Sequence, residues 1–193
     1  KMQRVFYDDF SSYPAGRITS PVGAHTEYHY LKDAQLNPVW QVTSFYHNPR
    51  GSDTAWRIAE FNGRHTLHQT FSYNLNFTHL MVVAGNPLWS DYRVSAEFSP
   101  KKTGSRVGMI FRYQNDRQYY FFGMEKNALV LMKVNHDKAF HTPDETILDS
   151  VSFQWQPGEI YFLTAELKGD KIKATINGNT FLYAEDTSFQ NGK

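Results

Sequence analysis

Tyr92-Arg-Val-Ser-Ala-Glu-Phe98 decides the fold. Tyr92, Val94, Ala96 and Phe98 take one face of an extended chain, and Arg93, Ser95 and Glu97 take the other. Apolar residues spaced by two, with polar residues between them, mark a half-buried strand, because successive side chains of extended backbone point to opposite sides.

The same grammar continues toward the C-terminus. Val107-Gly-Met-Ile-Phe-Arg-Tyr113 and Gln118-Tyr-Tyr-Phe-Phe-Gly-Met124 read as strands joined by the polar turn Gln114-Asn-Asp-Arg117, a hairpin. Leu129-Val-Leu-Met-Lys-Val134 is another strand, and Ile160 to Leu167 follows the Pro157-Gly158 turn. Lys168-Gly-Asp-Lys171 turns the chain into Ile172-Lys-Ala-Thr-Ile176. Asn177-Gly178, a strong short-hairpin signal, then leads to Thr180 to Ala184. Toward the N-terminus, Trp56 to Phe61, Asn62-Gly63 and Arg64 to Phe71 form a second hairpin. No long stretch carries an amphipathic helical pattern. Many short strands with regular turn signals predict an all-β, antiparallel domain, a two-sheet sandwich or jelly roll. Residues 11–55 contain Pro14, Pro21, Pro38 and Pro49, so strands there must be short or at edges. Long loops on a rigid sandwich are where binding usually sits. With no linker, repeat or low-complexity segment, residues 1–193 read as one domain.

Composition narrows the function classes. Twenty basic against 19 acidic side chains give a net charge of +1, which supplies no basic face for nucleic acid and no patch for an anionic membrane. No apolar run approaches the roughly 20 residues of a membrane span. Cysteine is absent, which removes disulfides, thiolate metal sites and a cysteine nucleophile. Aromatic residues reach 16%, enough both to fill a core and to offer flat platforms for sugar rings. The chain begins Lys-Met-Gln, which reads as a trimmed start or a segment boundary.

The order of motifs is similar to that of a known family. Phe6-Tyr-Asp-Asp-Phe10, a Trp-containing strand and Gly63-Arg-His-Thr-Leu67 precede Trp89 to Phe98, Gly108-Met-Ile-Phe-Arg-Tyr113 and Tyr119-Tyr-Phe-Phe122. Leu163 to Gly178 and Asp186-Thr-Ser-Phe-Gln-Asn-Gly192 follow. This resembles the concanavalin A-like, laminin-G-like jelly rolls of bacterial polysaccharide-degrading proteins, most specifically from Tyr92 onward. The resemblance implies two curved antiparallel sheets, a carbohydrate groove on the concave one, and a secreted, periplasmic or cell-surface bacterial protein. It further implies a partner polysaccharide, plausibly an acidic plant glycan, and attachment to a polysaccharide lyase or glycoside hydrolase. Such folds normally continue past the last Phe-X-X-Gly turn. The expectation is therefore a segment of a longer chain, with its last strands and an additional domain outside it.

Several constellations are candidates for chemistry. The Glu-X-Asp-X-X-Glu row that places two carboxylates about a glycosidic bond is absent, so no catalytic residue is assigned. A lyase base and an Arg that neutralises a uronate are conceivable among His25, His29, Tyr28, Tyr30, His65, His68, Arg112 and Tyr120, but spacing does not make them converge. His65 and His68, three apart on a strand, face opposite sides. In GAHTEYHYL, extended backbone puts His25, Glu27 and His29 on one face and Tyr28 and Tyr30 on the other. That row is a zinc site lacking a further ligand, a ligand-facing surface, or a solvated edge. Arg112, inside the apolar Met-Ile-Phe-Arg-Tyr, must be paired, snorkelling or exposed on a groove. It is either a structural ion pair or a planar fork for a sugar hydroxyl or uronate. The resemblance also implies a structural calcium near the first strand, with Asp8 and Asp9 as ligands. Calcium wants about six to eight oxygens, and those carboxylates are only part of such a shell.

These strands lead to a carbohydrate-associated β-sandwich module that binds a glycan or buttresses a catalytic domain. Its surface candidates are Arg112, Tyr113, Tyr120, Trp89, His25, Tyr28 and His29. The alternatives are a lyase or hydrolase with part of its active site here, and a purely structural interdomain module. Fold alone does not separate the three.

Overall fold

The computed structural model describes residues 3–19, 34–45, 55–71, 79–102, 104, 106–137 and 143–193. Period two in the sequence becomes fourteen strands among these residues: β1 (Gly16–Thr19), β2 (Ala34–Leu36), β3 (Gln41–Ser44), β4 (Trp56–Phe61), β5 (Arg64–Gln69), β6 (Leu80–Val83), β7 (Arg93–Phe98), β8 (Val107–Asn115), β9 (Gln118–Glu125), β10 (Ala128–Asn135), β11 (Glu145–Ser152), β12 (Tyr161–Lys168), β13 (Lys171–Ile176) and β14 (Thr180–Glu185). No helix occurs among the described residues. The GAHTEYHYL stretch, with His25, Tyr28 and His29, lies outside them.

The chain divides into two compact units, Lys1–Gly85 and Asn86–Lys193. In the first, β2-β1-β4-β5 form one sheet and β3 pairs with β6. Its strands are short, as the prolines require, and β1 with β2 is a parallel pair. Asn62 and Gly63 both have positive φ, which the tight β4–β5 hairpin turn demands.

The second unit is an antiparallel two-sheet sandwich. One sheet runs β11-β10-β9-β8 and the other β14-β13-β12-β7. Met109, Phe111, Phe122, Leu129 and Leu131 from the first meet Leu163, Ala165, Ile172, Ala174 and Leu182 from the second in one buried core. Each fully buried side chain of this size contributes about 1.5–3 kcal/mol. The opposite faces of β9 and β10 are buried as well, through Tyr119, Phe121, Val130, Met132 and Val134. This explains why these two strands read as nearly continuous apolar runs. At the paired Gly108 and Gly123, a Cβ on Gly108 would stand 2.2 Å from the Phe122 carbonyl oxygen, so the two strands fit together only without side chains there.

Five strands were not named from the sequence: β1, β2 and β3 in the proline-bearing stretch, and β6 and β11. β11 is an edge strand whose residues are exposed or half-buried, so polar and apolar residues mix along it without clean alternation. β6 is a four-residue apolar run between loops, too short to show a period.

Candidate functional site

The β8–β9 pairing has one irregularity, and the site is built on it. Arg112 has φ of 46° in the middle of β8, and the pairing with β9 shifts register between Phe111 and Asn115. A bulge of this kind re-aims a side chain. Strict alternation would put Arg112 opposite the core-facing Phe111. The bulge instead turns the guanidinium toward the loops that join the strands of the other sheet.

There it is fully buried and held by main chain. Nη1 donates to the Phe189 carbonyl at 2.9 Å, and Nη2 donates to the carbonyls of Gly169 at 2.7 Å and Ser90 at 3.0 Å. These three carbonyls belong to the β12–β13 turn, the approach to β7 and the segment after β14. One side chain thus ties three connections of the second sheet to a strand of the first. The nearest carboxylate oxygen, on Asp91, is 3.9 Å away, and its stronger engagement is with the Gly169 N–H at 2.9 Å. Of the two readings open for Arg112, the internal one describes its surroundings, with carbonyls as the principal partners. The surface fork does not, because no part of the side chain reaches solvent.

The neighbours of Arg112 complete the tie. Its backbone N–H donates to the Tyr92 hydroxyl at 2.7 Å, and burial pushes that phenol up to about 12. Tyr113 and Lys193 exchange backbone hydrogen bonds of 2.8 and 3.3 Å, and the Gly192 N–H donates to the Trp89 carbonyl at 2.9 Å. A Cβ on Gly192 would come within 2.4 Å of the Arg112 carbonyl carbon, at a φ of 143°. The Tyr120 hydroxyl donates to Asp186 Oδ1 at 2.5 Å and accepts from the Phe189 N–H at 3.3 Å. Lys133 Nζ donates to Asp186 Oδ2 at 2.6 Å and to Ser188 Oγ at 2.9 Å. Burial alone would raise the Asp186 carboxyl, but hydrogen bonds from Lys133, Tyr120 and Ser188 overcome it and hold the pKa at about 2. Burial and the bond to Asp186 drive the Tyr120 phenol well above its ordinary range.

The segment fixed in this way forms one wall of a shallow depression of about 250 Å³. Gln114, Gln118, Ser188, Phe189, Gln190 and Asn191 line it. Four of the six end in a carboxamide, one in a hydroxyl and none in a charge. Gln114 Nε2 donates to the carbonyls of Arg112 and Asn191, Gln118 Nε2 to Asn135 Oδ1 at 3.1 Å, and Asn191 Nδ2 to the Pro87 carbonyl at 2.8 Å. Among the described residues none engages the exposed Gln190 amide.

Similarity to known proteins bears on architecture. No family model matches the chain, and no curated protein matches it by sequence. Among solved structures it is similar to the carbohydrate-binding module CBM66 from Bacillus subtilis, at 14% identity and a TM-score of 0.55, over 80% of this chain and 85% of that one. The likeness is one of fold. It agrees with the all-β sandwich drawn from period two.

The sequence candidates therefore meet in part. Arg112, Tyr120 and the main chain of Tyr113 and Trp89 converge on the Phe189–Lys193 segment, where they act as floor and fastening. Tyr113 is buried and stacks on Tyr119 at 6.4 Å, while the half-buried Trp89 ring tilts against Tyr92 at 6.0 Å. The amides that face outward were missed. By sequence Gln114 reads as a turn residue, and Gln190 and Asn191 as part of a closing motif. No local pattern marks them, because the contacts that bring the three carboxamides together are tertiary.

Asp8 and Asp9 belong to the first unit. Asp8 accepts from the Phe10 N–H at 2.8 Å, the Tyr13 hydroxyl at 2.7 Å and the Trp40 indole at 2.8 Å. Asp9 accepts from the hydroxyl and N–H of Ser11, which lower its pKa. Both carboxylates thus hold hydrogen-bond donors, and among the described residues no group of three His, Asp or Glu side chains could hold a metal ion. His65 and His68 take separate partners, the Tyr13 carbonyl and the Thr66 hydroxyl, each at 2.7 Å.

Proposed function

We propose that the C-terminal unit binds a neutral, hydroxyl-rich glycan in the amide-lined depression. The observation that carries this reading is the lining itself: four carboxamides and one hydroxyl, with no charged side chain. A carboxamide offers donors and an acceptor together, which is what adjacent sugar hydroxyls need. A few convergent polar groups on a rigid base are the usual makeup of a small-ligand site. The Arg112 tie supplies the rigid base.

The fold similarity to a carbohydrate-binding module supports the same class of ligand. The lining brings no cation to a uronate carboxylate, so this reading departs from the acidic glycan implied by the family resemblance. It retains the rest of that implication: a non-catalytic module of an exported polysaccharide-degrading protein.

The test is calorimetric titration of the whole chain with neutral and uronate-containing oligosaccharides. Binding of a neutral sugar is expected to weaken about 2- to 10-fold in Gln190→Ala, the range of one lost hydrogen-bonding group. Its melting temperature should not move, because that amide has no partner among the described residues. Absence of binding to any of these sugars, or equal affinity in Gln190→Ala and parent, would overturn the assignment.

A further inference from the structure

The outward face of the β14-β13-β12-β7 sheet is unlike an ordinary solvated face. Phe162, Phe181 and Tyr183 project from it and are 46%, 63% and 45% exposed. Their strand neighbours Leu163, Leu182 and Ala184 point into the core. The pairing register aligns the remaining outward residues in rows. Phe181, Thr175, Thr164 and Ser95 form one row, and Tyr183, Lys173, Glu166 and Arg93 form the next. Ser95 Oγ and Thr164 Oγ1 are 2.9 Å apart, so the first row runs as an aromatic ring followed by a ladder of hydroxyls.

The charges on this face are largely answered within it. Arg93 donates to Glu166 at 2.8 Å, and Lys173 Nζ lies 5.8 Å from the centre of the Phe181 ring. The cations Arg93, Lys168, Lys171 and Lys173 share this face with the carboxylates Glu97, Glu166 and Glu185. Such a near-balanced surface gives no grip on a polyanion. It complements a ligand that is itself uncharged, with apolar ring faces for the aromatics and hydroxyls for the Thr and Ser ladder.

We infer that this face is a second carbohydrate-binding surface, separate from the depression, which takes an extended neutral polysaccharide lying across the strands. Strand spacing puts Phe181 and Phe162 about 12 Å apart and Phe181 and Tyr183 about 7 Å apart. The rings thus span more than one sugar, which suits a polymer rather than a monosaccharide. The inference rests on residues that the depression does not use.

The experiment is affinity electrophoresis of the whole chain through gels containing neutral polysaccharides, comparing the parent with Phe181→Ala/Tyr183→Ala and with Gln190→Ala. The double variant is expected to lose at least about tenfold in polymer affinity while its affinity for short neutral oligosaccharides stays at the parent value. Gln190→Ala should show the converse pattern, which keeps failure of this inference distinct from failure of the depression. Amide chemical shifts in a polymer-derived oligosaccharide titration give a readout independent of any variant, with movement expected at Ser95, Thr164 and Thr175. Unchanged polymer retardation in the double variant, or shifts confined to residues 114–118 and 188–191, would overturn the inference. So would concentration-dependent dimerisation abolished by the double variant, since the face would then meet a second copy of the chain.

Discussion

Replacing Arg112 by Met tests whether this arginine is a fastening or a ligand. Met keeps the unbranched apolar stem, ends short of the guanidinium and removes every donor. Three carbonyls then lose their charged donor, that of Phe189 in a buried place and those of Ser90 and Gly169 in partly buried ones. A buried polar group left unsatisfied costs about 1–3 kcal/mol. Removing a cation from the interior offsets part of that sum, because its own desolvation is relieved. The left-handed backbone at Arg112, with φ of 46°, costs about 1–2 kcal/mol and is held by the same contacts. A net loss of about 3–5 kcal/mol is expected. For a chain of this size, about 2–4 °C of melting temperature accompany each kcal/mol. Arg112→Met should therefore melt roughly 6–20 °C below the parent, by calorimetry or circular dichroism. Arg112→Lys keeps the charge but lacks the fork that reaches three carbonyls, and should fall between the two. The reasoning is refuted if Arg112→Met melts within about 2 °C of the parent, less than one kcal/mol. A variant that kept its melting temperature and lost only glycan binding would restore the surface fork.

Gly192→Ala should destabilise the same region by about 1–3 kcal/mol, because its Cβ would meet the Arg112 carbonyl carbon, and backbone cannot move aside as a flexible side chain would; denaturant unfolding of parent and variant reads this directly. Asp186 has a folded pKa of about 2, below the ordinary carboxylate value of roughly 3.9, so its contribution is present above that value and is lost as pH falls through the folded one. Stability should accordingly drop between about pH 4 and pH 2, and Asp186→Asn should flatten that part of the pH profile. Asp8→Ala should lower stability by about 1–3 kcal/mol through the lost partners of Phe10, Tyr13 and Trp40, read by denaturant unfolding of parent and variant.

The sandwich was legible because its strands obey one rule. In β7, β12, β13 and β14 the inward and outward residues alternate without a break, and the Asn177-Gly178 pair supplies the positive φ of its hairpin turn. β9 and β10 were legible for a different reason: both faces are buried, so apolar residues run almost continuously and the turns alone mark their ends. β11 failed both tests. It lies at a sheet edge with most side chains exposed or half-buried, so neither alternation nor a continuous run is imposed on it. Its place is fixed by pairing with β10 and by the Asp149 carboxylate, which accepts from the Tyr183 N–H of β14 at 2.9 Å, contacts that no local pattern announces.

The candidate site shows where period two stops being a guide to function. Alternation assigns Arg112 to the face opposite Phe111, which made a solvent-facing groove plausible. The bulge reverses that assignment, and the cause is tertiary: three carbonyls at the ends of another sheet offer a better environment than the strand's own outer face. The energy that a sugar-binding fork would have directed at ligand is spent instead on positioning Phe189 to Asn191, beside Gln114 and Gln118. Where alternation is unbroken it remains informative, and there the outward residues are the ones to read. Phe181 and Tyr183 flank Leu182 on β14, so if Leu182 is core both rings must stand in water. A large aromatic ring left exposed at two successive outward positions, with Phe162 two strands away, is not explained by the core. Aromatic content was the first hint of sugar binding, and the core claims Phe111, Tyr120, Phe122 and others for packing. What points to a ligand is the set of rings that one sheet face leaves outside, together with the amides held in place by a buried arginine.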